Sequence, residues 1–197
     1  MSRAEVARLF RRQLARRLRH GVNMMAGVPS SRFEEIRAEW LATDPGRTGG
    51  QRREDAEPVI VSDESASITH GIGDLPPGVV HLTSARRLQS RQRWVSIHRR
   101  HITDREYTWI DGLPVTTPPQ TLEDLAESGR CWEHDQLRAL ANDAITDGLI
   151  PATDLSKSPT LTRVLPELAP PASHTALRQR LANGASTRAR PAAPSSA

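Results

Sequence analysis

The sequence predicts an α/β (α+β) fold: a short mixed sheet covered by helices, behind an arginine-rich leading segment. Three observations predict it. Residues 111–126 read turn, strand and helix in one run. Asp111-Gly112 is a turn dipeptide, Leu113 to Thr116 is apolar and β-branched, and Thr117 with Pro118 offers an N-cap and a first helical residue. Residues 79–84 and 94–99 read as paired strands. Apolar residues then recur at helical spacing, so helices are expected over 118–128 and about 134–147.

From the start of the chain, Ser2-Arg3-Ala4-Glu5 fits a capping box. Val6, Leu9, Phe10, Leu14 and Leu18 fall at helical spacing with arginines over most of the remaining surface. Read alone, residues 2–20 are one basic amphipathic helix. Ser30 or Ser31 caps a helix through Thr43, with Phe33, Ile36, Trp40 and Leu41 on one side, and Asp44-Pro45-Gly46 stops it. Residues 43–57 read as a polar, mobile linker. Residues 58–61 form a short buried strand, Ser62 caps a helix to about His70, and Gly71-Ile72-Gly73 ends it. The basic loop 85–93 joins the strands 79–84 and 94–99 as a hairpin. In the second strand Trp94, Ser96 and His98 share one face, and Val95, Ile97 and Arg99 the other. Residues 107–110 make a further strand. Beyond Pro151, short helices are expected over 160–165 and 174–182, and the Ala/Pro/Ser-rich 184–197 is a disordered tail.

Charge is segregated. Residues 1–20 hold seven Arg against one Glu, residues 84–105 seven Arg against one Asp, and residues 106–150 nine acids against two Arg. Such asymmetry suits separate surfaces for separate partners. Of 27 basic residues only Lys157 is lysine. Arginine suits bidentate phosphate and guanine contacts better than lysine does. A single cysteine, Cys131, excludes a disulfide framework and a cysteine-based zinc site, and beside Trp132 it reads as a packing residue. A cytoplasmic location is expected. No apolar run reaches membrane-spanning length, and no membrane contact is expected.

Little points to catalysis. His98, His101 and Asp104 fall at i, i+3 and i+6, but a strand would turn the histidines apart, so no metal and no cofactor is expected. His70 and His81 read as structural. Asp104, Glu106 and Asp111 lack the Glu-x-Lys strand of a restriction-type nuclease, since Leu155 stands two residues before Lys157. No enzyme is expected.

The run DGLPVTTPPQTLEDLA at 111–126 resembles the core motif of AbiEi-type antitoxins of type IV toxin–antitoxin systems, in their transcriptional-regulator form. Residues 61–75 resemble the Ser-His-x-Ser-Ala…His-Gly-Leu-Gly-Asp-Leu helix of that family, and 80–83 and 95–99 its two following strands. Leu137 to Leu149, ending Asp147-Gly148-Leu149, is similar to its Ala-rich helix and turn. Ser2 to Leu9 resembles the start of the family's recognition helix, and residues 14–27 its β-hairpin wing. Gln13 stands where the family turns on glycine, which would let residues 2–20 continue as one helix, and Asn23 replaces a tyrosine.

The resemblance implies a partial winged helix-turn-helix-like segment and connecting helix over 1–42 and a linker over 43–57. An AbiEi-like α/β antitoxin domain follows over 58–157, then short helices over 158–183 and the tail over 184–197. The helices that precede the family's recognition helix have no counterpart before Ser2. It also implies a non-enzymatic antitoxin and autorepressor on double-stranded operator DNA with inverted repeats, countering a nucleotidyltransferase-type toxin. Arg3, Glu5 and Arg8 would lie on the recognition helix, with Arg11, Arg12, Arg16, Arg17 and Arg19 on phosphates, and Arg86 and Arg87 adding to them. The alternatives are a stand-alone α/β interaction module without a working DNA-binding part, or a relic of a fusion with a restriction-type nuclease domain.

Overall fold

The computed structural model describes residues 3–28, 31, 33–76, 78–128 and 134–168. Ser2, Cys131, Trp132 and the expected segments 174–182 and 184–197 lie outside the described residues.

Helix α1 (Arg3–Arg11) does not continue to residue 20. It closes when Gln13 donates its N–H to Phe10 O and Leu14 to Leu9 O, the two bonds of a Schellman C-cap. Gln13 itself takes φ +56, the left-handed conformation the motif requires. The chain then forms an antiparallel hairpin of β1 (Ala15–Arg19) and β2 (Val22–Met25). Spacing alone favoured one long helix because Leu14 and Leu18 kept the 3.6 period; backbone geometry at one residue overrides it. At the hairpin tip, Gly21 has φ +74, and a Cβ there would come within 2.5 Å of Pro45 Cβ.

Helix α2 (Glu34–Ala42) starts later than expected, and its N-cap is Phe33, with the Ser31 hydroxyl accepting from Phe33 N. It buries Phe33, Ile36 and Trp40, and the Trp40 indole N–H donates to Val59 O at 2.6 Å. Residues 43–57 are more than a loop. Gln51–Glu54 form a 3-10 turn, and Arg52, 2% exposed, lays its guanidinium 3.9 Å over the Trp40 ring. Arg52 also donates to Trp40 O and to the Thr43 hydroxyl, so its charge satisfies a helix C-terminus.

A five-stranded mixed sheet follows, built from β3 (Ile60–Val61), β4 (Val80–Ser84), β5 (Val95–Arg99), β6 (Tyr107–Ile110) and β7 (Leu113–Thr116). Its order is β5-β4-β3-β7-β6. β6 and β7 form an antiparallel hairpin whose turn residues Asp111 and Gly112 both have positive φ, as that dipeptide predicts. β4 and β5, in contrast, are parallel neighbours with Val80 opposite Val95, so the basic segment between them is a crossover rather than a hairpin loop. Helix α3 (Asp63–His70) connects β3 to β4 and ends at Gly71. Its N-cap Ser62 does not cap through its side chain; the hydroxyl donates to Asp63 Oδ2 instead.

The two faces of the sheet differ. Val61, Val80, Leu82, Leu113 and Val115 join Phe33, Ile36 and Trp40 of the α2 side in one apolar cluster. The alternating residues His81, Thr83 and Thr116 are buried with Ser62, Ser65 and Thr121, a layer of polar side chains. α4 (Pro118–Glu127), α5 (His134–Thr146), α6 (Ala152–Leu155) and α7 (Pro159–Val164) make a second apolar cluster around Leu122, Leu125, Leu137, Leu140, Ile150 and Leu161. Thr117 is the N-cap of α4 with Pro118 at the first position, but no side-chain cap bond forms. Among the described residues no helix is long and apolar enough to cross a membrane.

Candidate nucleic-acid interface

The N-terminal arginines divide into two groups. On α1 and just past its end, Arg8, Arg11 and Arg12 fall at i, i+3 and i+4 and are exposed, opposite the half-buried Val6, Leu9 and Phe10. Like charges at this spacing disfavour an isolated helix by ~0.2–0.5 kcal/mol per pair, so self-stability does not account for the cluster. Arg17, on β1, is also exposed and sits 5.9 Å over the Phe10 ring, which ties hairpin to helix. The side chain of Arg3 lies outside the described residues.

Arg16 and Arg19 are engaged with the body. Arg16 pairs with Glu34 and Arg19 with Glu39, both carboxylates on α2. Glu39 is 4% exposed and also accepts the Trp94 indole N–H at 2.8 Å, while the Arg19 guanidinium lies 5.9 Å from the Trp94 ring. The buried acid therefore gathers β1, α2 and the crossover at one point. Sequence reasoning missed Glu34 and Glu39 because their partners are 18 and 20 residues away.

The crossover carries Arg86, Arg87, Arg91 and Arg93, all exposed. It passes on the α2 side of the sheet, where Leu88 packs against the apolar cluster. An open cleft of about 410 Å³ separates it from the hairpin, lined by Arg19, His20, Glu39, Leu88, Arg91 and Gln92 among others. Two basic segments some 70 residues apart thus border one cleft, an approach that charge counting did not reveal.

The other sequence candidates fall elsewhere. His70 Nε2 lies 2.7 Å from Thr116 O, and burial lowers its pKa below the ordinary imidazole value. Asp104 contacts the Tyr107 hydroxyl, while Glu106 takes hydrogen bonds from Thr103 and Arg100. Burial works to raise Glu106, but those bonds outweigh it and its pKa is lowered. His98 is not grouped with His101 and Asp104; it reaches His81 on the neighbouring strand. In comparisons with known proteins, no family model matches the chain and no curated protein matches it.

Proposed function

We propose that the protein is a non-enzymatic, DNA-binding antitoxin and transcriptional autorepressor of the AbiEi type, which grips duplex phosphates through α1, its hairpin and the crossover. The observation that carries this reading is the exposed set Arg8, Arg11, Arg12, Arg17, Arg86 and Arg87, carried by α1 and its end, the adjoining hairpin and the crossover. Exposed guanidinium groups at this density match a polyanion with regularly spaced charges. The antitoxin half of the reading rests on the resemblance of 61–75 and 111–126 alone, with the acidic helices α4 and α5 as its partner surface.

Six phosphate contacts give a slope of log K against log salt of roughly −5 on B-form DNA. Anisotropy titrations on duplex from the protein's own upstream region, across a salt series, measure it. The triple variant Arg8→Ala/Arg11→Ala/Arg12→Ala is expected to reduce the slope by about 3. An unchanged slope in that variant, or no duplex binding by the full chain, would overturn the DNA half. Duplex binding lost while co-expression still rescues growth from an adjacent toxin would favour the stand-alone interaction module. Arg16 and Arg19, already paired to α2, are the observation on that side.

A further inference from the structure

We propose that Asp63, His81 and His98 form a binding site for a divalent transition-metal cation of the zinc class. The site lies in the polar layer between α3 and the sheet, away from the arginine surface, and it departs from the expectation of no metal. One ligand atom from each residue lies within 4.8 Å of the others. His81 Nδ1 and His98 Nε2 are 3.2 Å apart, and His98 Nε2 is 3.7 Å from Asp63 Oδ2. Two nitrogens on a tetrahedral zinc, each bonded at ~2.05 Å, stand about 3.3 Å apart. The imidazole pair is already spaced as one edge of such a site, and the carboxylate stands beside it, 3.7 Å from His98 Nε2.

The surroundings fit ligation. The second nitrogen of His81, Nε2, lies 3.2 Å from Glu64 Oε2, which places a carboxylate behind the imidazole where it can orient a metal-bound ring. Asp63 Oδ2 is steered by the Ser62 hydroxyl at 2.8 Å, and Ser62 is held in turn by Thr83. Ser65 Oγ accepts the backbone N–H of His81, fixing the strand against α3. Parallel pairing of β4 with β5 puts Ser96 opposite His81 and His98 opposite Thr83, which brings the two histidines to one face.

Two further observations separate this cluster from ordinary packing. Asp63 is 5% exposed and has φ +50, a left-handed backbone that a non-glycine residue adopts only when its surroundings hold it there. His81 is 1% exposed, whereas the His98 side chain is 39% exposed, so the site is walled on the protein side and open at one position to solvent. Two imidazoles and one carboxylate favour zinc and its transition-metal neighbours over magnesium or calcium, which take oxygen ligands.

The test uses the metal-stripped full chain with Zn2+, and Co2+ as a spectroscopic probe. One equivalent of Zn2+ per chain is expected after equilibrium dialysis, Mg2+ should not compete, and the Co2+ adduct should show the intense visible bands of a tetrahedral site. His98→Ala and Asp63→Asn should weaken binding by at least about tenfold, and Glu64→Gln by about 10–100-fold through His81. Asparagine tolerates the left-handed backbone, so Asp63→Asn keeps the fold, which circular dichroism checks. His101→Ala should bind as wild type. Binding unchanged in both His98→Ala and Asp63→Asn, binding lost in His101→Ala, or no stoichiometric Zn2+ would each overturn the site. None of these readouts involves DNA, so the site and the DNA reading fail separately.

Discussion

Asp124 shows how a single carboxyl responds to its setting. Arg100 donates to its Oδ1 at 2.8 Å and Gln120 at 2.9 Å, while Oδ2 is buried with no hydrogen-bond partner among the described residues. Burial pushes its pKa up to about 7, against the pull of Gln120 and Arg100. A carboxyl whose folded value is raised lends stability in full below the ordinary aspartate range, and that stability is lost as pH rises through about 7. Asp124→Asn, which mimics the neutral form, should therefore flatten the pH dependence of Tm between about pH 4 and 7 and melt above wild type at pH 8. A lower Tm at pH 8 would mean that the charge on Asp124 is worth more to Arg100 than its burial costs. At this scale the sequence was least legible. His98 was weighed against His101 and Asp104, its neighbours along the chain, yet its partner His81 stands 17 residues away. Side chains that meet through strand register leave no spacing to read.

Elements were far more legible, for a physical reason. The turn at Asp111-Gly112, the strand Leu113–Thr116 and the helix from Pro118 each follow from local backbone preference, and all three form. What failed was pairing and geometry set at a distance. A basic stretch between two strands suggested a hairpin, but β5 aligns parallel to β4. Gln13 is the sharper case, since a non-glycine residue occupies the left-handed position that ends α1. Gln13→Gly should relieve roughly 1–2 kcal/mol of backbone strain, offset in part by a more flexible unfolded chain, for a net gain of up to about 1 kcal/mol. In thermal melts this amounts to a rise of about 2–4 °C. Were residues 2–20 a continuous helix, the same change would lower Tm, because glycine weakens a helix interior.

Across the whole molecule, the hairpin, α2 and the crossover are joined at Glu39, a buried acid that holds Arg19 and the Trp94 indole. Glu39→Ala should cost about 1–3 kcal/mol, less than a fully buried pair because Arg19 keeps some contact with water. Intrinsic fluorescence should shift as Trp94 loses its acceptor; an unaltered spectrum and Tm would show that the three pieces stand independently. The seating of the hairpin tip against Pro45 leaves no space for even one methyl group at Gly21. That fit seats the tip of the basic ribbon directly on the body. If the protein takes duplex DNA as proposed, a ribbon seated on the body in this way should bind bent and straight duplexes with different affinity.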